Sequence, residues 1–350
     1  MAYSTINKST DYMNSVLYTS NSGSSPRTIT GVGFNPDMIW VKNRDSASYN
    51  HVLSDNVRGI GKIIQPDTTV VEASNSGAGT ITATNSDGFV LTAGSSNLSN
   101  YDTGTNKQVV WNWKANGAGS SNSDGSITST VSASTASGFS IVKWTGSGGN
   151  ATIGHGLGAV PKLIIVKSLA NTTSWMVYHS EIGNNSEIYL NGNNAAAGSS
   201  TAWQDTDPTS SVFYVAGGGG DGVNASGDYV AYCFAEIQGH SKIGHYTGNG
   251  NADGAFVYCG FRPSFILTKT TGTDNWRILD DKRLGYNPNN SLSQPSVSQA
   301  DSAQTWHDIV SNGFKLRTTD TGDNGAGTKY IFYAVGQTLV GTNDIPNNAR

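Results

Sequence analysis

Of the 25 acidic residues, 21 are aspartates; the glutamates are Glu72, Glu181, Glu187 and Glu236. Glycoside cleavage needs two carboxyl groups facing each other across a cleft. Any such pair here would be drawn mainly from aspartates, many of which, such as Asp205, Asp207 and Asp320, stand among turn-forming residues. The six histidines, His51, His155, His179, His240, His245 and His307, show no HExxH or other metal-ligand spacing. Ser, His and Asp are all present, but no GxSxG elbow singles out a nucleophile. Cys233 and Cys259 form neither a CxxC pair nor a disulfide framework. The expectation is a non-enzymatic chain with no catalytic residues, no cofactor and no metal.

Two groups of residues are candidates for binding. Asp221, Asn224 and Asp228 lie in AGGGGDGVNASGD, where oxygen ligands and glycines suit calcium. Their spacing is not that of an EF-hand, and a plain hairpin is the preferred reading. Trp203 and Trp306 stand beside polar residues and are candidates for stacking on a glycan, although tryptophan on a strand more often belongs to a core.

The elements that would carry these residues recur along the chain. GFNPDMIWVK, GAVPKLIIVK and GFRPSFILTK begin at Gly33, Gly158 and Gly260, and each places a lysine six residues after its proline: Lys42, Lys167 and Lys269. Tyr18, Trp144 and Tyr246 mark a phrase upstream; SDGFVL, SSVFYV and SNGFKL follow downstream; QVVWNW, YVAYCF and YIFYAV close each unit. A fixed order of markers occurring three times predicts three related repeats. The closing runs alternate with period two, as a strand with one face toward a core does. The proline phrases are apolar on both faces and predict a buried central strand, with Ile39, Ile164 and Ile266 at matching positions and the lysine ending it in water.

Composition agrees with an all-β reading. Charged residues are 13% of the chain and Gly numbers 43, favouring turns over surface helices. The expected fold is a series of tandem antiparallel β-sandwich, jelly-roll-like modules. An N-terminal arm occupies 1–15 and sandwiches occupy 16–114, 137–238 and 239–337. A Gly/Ser-rich linker or edge strand spans 115–136, and a C-terminal arm spans 338–350. The net charge of −4 and the lack of a basic stripe argue against nucleic acid. No apolar run is long enough to span a bilayer as a helix, and MAYSTINKSTDYMNS has no apolar core of a secretory signal. Free thiols made in a reducing cytoplasm are expected.

MAYSTINKST, GVGFNPDMIWVKNR, GFSIVKWTGSGGNATIGHGLGAVPKLIIVK, GFRPSFILTK and LVGTNDIPNNAR resemble a family of repeat-bearing virion proteins of tailed phages that infect marine bacteria. The resemblance spans essentially the whole chain and brings no catalytic residues. It implies a virion structural protein of a tail fibre, appendage or capsid projection, assembled in the host cytoplasm and contributing to host-surface attachment. Expected partners are other virion proteins, identical copies in a homo-oligomer with a trimer favoured, and a host surface glycan, without nucleic acid or membrane insertion. The alternative is a tailspike-like protein that binds or cleaves carbohydrate. Asp55-x-x-Arg58 and Asp280-x-x-Arg283 recur in the outer units, where the middle unit has His179 and Ser180; a structural tie between turn and strand is expected of both pairs.

Overall fold

A computed structural model describes residues 4–21, 25–74, 77–93, 101, 104–198, 201–217, 222–283, 287 and 289–338. Among them helix is confined to a 3-10 turn, Ser9–Asp11, and one α turn, Thr321–Asn324; the other regular elements are strands. All the named strand pairs are antiparallel, apart from one isolated parallel bridge between Ile127 and Ile153.

One strand order occurs three times. In the first unit Met13–Thr19, Lys107–Trp113, Met38–Asn43 and Val52–Asp55 lie side by side. In the second the order is Phe139–Gly146, Gly227–Ala235, Pro161–Ser168 and Met176–His179. In the third it is Ser241–Thr247, Lys329–Thr338, Phe261–Thr270 and Arg277–Asp280. Ile39, Ile164 and Ile266 pair with Asn112, Cys233 and Ala334 of the closing strands. Where the proline falls within the strand, at Pro161 and Pro263, the register shifts immediately after it, as expected where a residue cannot donate to the ladder.

Each four-strand ladder is buried on both faces. On one side it meets a smaller sheet of its own unit, built around Gly88–Thr92, Val212–Val215 or Gly313–Leu316, which contribute Phe89, Phe213 and Phe314. Gly88 and Gly313 let these strands pass their neighbours: an added Cβ would lie 1.9 Å from the Ile29 carbonyl oxygen and 2.0 Å from that of Val257. On the other side, all three ladders share one core. Trp40, Trp111 and Trp113 of the first unit meet Ile165, Tyr232 and Phe234 of the second and Phe265, Leu267 and Tyr333 of the third. Edge-to-face contacts run through it, including Trp113 on Phe265 at 5.3 Å between ring centroids. A cavity of about 20 Å³ remains at the centre, room for about one water molecule, and its lining from Met38 to Tyr333 is apolar.

Several expectations change. The closing strands are buried on both faces: Val110 and Asn112 are as enclosed as Trp111, because the second face lies inside the sandwich and the first inside the shared core. The modules are therefore not strung as separate beads, and their aromatic strands are covered within one chain. The 1–15 stretch is not a free arm. Met13–Ser15 already belong to the first strand, and Ile6, Ser9 and Met13 are buried. Ser9 N–H donates to Gln337 Oε1 at 2.9 Å and its hydroxyl bonds the Gly336 carbonyl, so the start of the chain lies against the last strand. Residues 115–136 are pinned sheet as well as connection. The Ala115 and Gly117 amides donate to Asp37, and Ser120–Asn122 and Ser129–Ser134 add two strands to one end of the second ladder, as Ser186–Tyr189 and Ala197–Gly198 do to the other, in a sheet of eight. Beyond Thr338, the expected C-terminal arm lies outside the described residues.

A shared core predicts shared unfolding. The whole chain should melt in one transition, with matching calorimetric and van't Hoff enthalpies. An excised 137–238 fragment, which uncovers one face of its ladder, should lack near-ultraviolet circular dichroism. A fragment with native-like signal and its own cooperative melt would contradict this.

Candidate functional site

The polar chemistry gathers where one unit meets the next. The residue preceding each fourth strand reaches a turn of another unit. Trp175 Nε1 donates to the carbonyls of Gln65 and Thr68 at 3.0 and 3.1 Å, and Trp276 Nε1 donates to that of Tyr189 at 2.8 Å. His51 completes the series, with Nε2 3.1 Å from the Gln294 carbonyl and Nδ1 accepting from Trp40 Nε1 at 3.0 Å. That pattern requires the neutral Nε2–H tautomer, in keeping with burial, which drives the His51 pKa well below its usual value. The second unit thus reaches the first, the third the second, and the first the third.

The last residue of each fourth strand makes a second set of ties in the opposite direction. Asp55 Oδ2 accepts from the Tyr232 hydroxyl at 2.6 Å; His179 Nε2 lies 3.3 Å from the Phe332 carbonyl; Asp280 Oδ2 accepts from Trp111 Nε1 at 2.9 Å. The two aspartates are also paired with Arg58 and Arg283, at 2.6 and 2.7 Å, with both partners fully buried. Burial alone would raise the Asp280 pKa, but the Arg283 guanidinium and the bonds from Arg283 and Trp111 hold it below the usual carboxylate range. Each arginine also donates to a carbonyl of its own strand, Leu53 or Ile278. These pairs therefore tie turn to strand and orient the acid that reaches the next unit. Asp301 joins the ring from the third unit, accepting from Arg283 at 2.8 Å and from Arg44 at 2.7 Å.

The recurring lysines differ from expectation. Lys42, Lys167 and Lys269 are all buried, because their aliphatic stems follow the shared-core face and their ammonium groups enter cages of backbone oxygen. Lys42 donates to the carbonyls of Asn43 and Tyr49 at 2.7 and 3.0 Å, and Lys269 to Thr270 and Gly272, each at 2.8 Å. Lys167 donates to Thr173 at 2.9 Å and across the seam to Thr69 at 3.1 Å. Burial lowers all three pKa values to about 8. The cages close the loops that lead into the fourth strands.

The other candidates separate. Trp203 is buried, edge-on to Tyr178 at 5.7 Å, so it offers no free face for a sugar. Trp306 is half-buried and carries the Arg277 guanidinium 4.6 Å from its ring centroid. In the supposed calcium loop Asp221 lies outside the described residues. Asn224 is spent on Trp144 Nε1, Ser147 and the Gly149 carbonyl, and Asp228 on Lys143 and Thr145. Among the described residues no three His, Cys, Asp or Glu side chains group as metal ligands. Cys233 and Cys259 are buried free thiols. The ring residues His51, Trp175 and Trp276 were not singled out in the sequence. The available signals were their place just before each fourth strand and the two Gln-Pro turns, at Gln65 and Gln294.

Two predictions follow from these groups. Burial holds the pKa values of His179 and His240 at about 4, and lowers those of His51 and His155. Between pH 6.5 and 4 the unfolded chain binds protons that the folded chain refuses, so stability is full above that window and falls as pH drops through it, by about 1.4 kcal/mol per pH unit per histidine. His240→Phe should flatten the slope of unfolding free energy against pH by about one proton; an unchanged slope would refute the assignment. Lys167→Met should lower stability by about 1–3 kcal/mol in denaturant titrations, since it strands buried carbonyls, and a neutral result would show the cage to be dispensable.

No curated protein and no solved structure matches the chain. A family described as a domain of unknown function, DUF7483, matches residues 8–338. That span contains all three ladders and both sets of ties between them, and the chain belongs to this family.

Proposed function

We propose that the chain is a non-enzymatic structural protein of a phage particle, in a tail fibre, appendage or capsid projection, that contributes to host-surface attachment and is built from three copies of one unit. The observation that carries the reading is the closed ring of desolvated ties around a shared core. Asp55, Asp280, Arg283, His51 and His179, all buried, are engaged in holding its units together. The resemblance of its repeated phrases to phage virion proteins points to the same class. Association of identical copies, with a trimer favoured, is part of the proposal.

Three measurements test it. Mass spectrometry of purified particles should find the chain at structural stoichiometry; its absence from particles would remove the reading. Incubation with host-surface polysaccharide should release no reducing ends, and release would favour the tailspike-like alternative. Light scattering at micromolar concentration should exceed the 36.7 kDa of one chain, and a monomer mass would remove the association of copies.

A further inference from the structure

The second and third units differ at one edge. In the second, the outer side of Phe139–Gly146 is occupied by Ser129–Ser134, in register from Thr130 with Lys143 to Ser134 with Phe139. The same hairpin covers the adjacent edge of the smaller sheet: Ile127 bridges Ile153, its amide donates to the Thr152 carbonyl at 3.2 Å, and Ser129 Oγ donates to the Gly154 carbonyl at 3.0 Å. What remains of the gap is a groove of about 160 Å³.

In the third unit the matching strand, Ser241–Thr247, ends its sheet with no strand beyond it among the described residues, and Phe256–Tyr258 ends the smaller sheet beside it. Between these two edges lies a groove of about 460 Å³. Ladder positions align Ile243 with Ile141 and Tyr246 with Trp144, through their pairing to Tyr333, Tyr232, Tyr330 and Tyr229. Val257 matches Ile153 in the same way, through Phe314 and Phe213. The positions of Thr152 and Gly154, which the hairpin covers in the second unit, therefore become Phe256 and Tyr258, which are 48% and 59% exposed.

The backbone of this edge is turned outward. The Ile243 amide is bonded to the Glu236 carboxylate at 3.4 Å and not to the ladder, so strand alternation also presents the amide and carbonyl of His245 to the open side. Glu236 is paired with Lys162 and Lys242, and Glu181 with His245, which leaves a rim with its charges matched.

We propose that this edge of the third unit is a strand-addition site that takes an extended segment of another protein, uncharged and rich in Ser and Thr, with small apolar residues at alternate positions. The segment in place on the second unit, STVSAS, has this chemistry. Main-chain bonds to the open edge would supply affinity, and contacts with Phe256 and Tyr258 would supply selectivity. The inference stands independently of the assignment to a phage particle.

The probe is a synthetic peptide of residues 126–135, SITSTVSAST, titrated into the full chain by calorimetry and followed by amide hydrogen exchange. Saturable one-to-one binding and slowed exchange at His245 and Thr247 are expected. His245→Pro removes an outward amide at an edge position that tolerates proline and should abolish binding, whereas His245→Ala should retain it. Tyr258→Lys, at an exposed site, should weaken binding without loss of fold. Failure of the peptide to bind, or equal binding to His245→Pro, would overturn the proposal. Binding seen only after deletion of residues 339–350 would assign the groove to the chain's own end. Self-association of the intact chain that His245→Pro abolishes would assign it to a second copy. Either result would also overturn the proposal.

Discussion

Burial of each four-strand ladder on both faces is the constraint from which the architecture follows. A sandwich normally leaves the outer face of each sheet to water. Here the outer face of the larger sheet carries Trp40, Trp111, Ile165, Tyr232, Leu267 and Tyr333, and each side chain finds cover only in the other two units. Large apolar side chains of this kind contribute about 1.5–3 kcal/mol each on full burial, more than a small sandwich can forgo. Three sheets meeting on one core satisfy the demand without a further layer, and the pattern of tryptophan, tyrosine and phenylalanine on alternate residues of the closing strands follows from it.

Apolar contact holds the units together but does not fix how far each turns against its neighbour. The desolvated ties supply that direction. Asp55 with Tyr232, His179 with the Phe332 carbonyl and Asp280 with Trp111 occupy the same ladder position and each point to the following unit. A buried pair adds little net stability, yet it costs several kcal/mol when one partner is removed, so a unit rotated away from its neighbour would strand charges and carbonyls in a dry interior. The middle unit makes its tie with a neutral histidine and so dispenses with the arginine that the two aspartates need.

Much of this was legible in the sequence, for a physical reason. The period-two alternation of Val109, Trp111 and Trp113 is fixed by strand geometry, and the two-faced apolarity of Met38–Val41 and Leu163–Val166 is fixed by burial on both sides. These patterns identify strands and their order. They do not say what covers a face, so the shared core was hidden: an apolar face reads alike whether a unit's own small sheet or two other units cover it. The lysines were misread because a long stem ending in a charge is usually carried to water, and only the path of the following loop reveals carbonyls gathered around Lys42, Lys167 and Lys269. The ring residues were hidden for a related reason, since His51, Trp175 and Trp276 differ in type and share only their place and the direction of one N–H. Trp203 looked available because its neighbours in sequence are polar, whereas its neighbours in space are the apolar residues of its own sandwich.

The contact of Arg44 with Asp301 joins residues 257 positions apart, and Ser9 meets Gln337 across 328. A ring closed by its first and last parts cannot form in order of synthesis. When the second unit leaves the ribosome, the apolar faces of two ladders are complete but their third neighbour does not yet exist. Folding that waits on such distant pairs is slow, and exposed sheet faces in the interval invite association with other nascent chains. Each half-made molecule must therefore stay soluble on the strength of its Ser-, Asn- and Gly-rich loops, which gives that unusual composition a role during the chain's synthesis as well as at its finished surface.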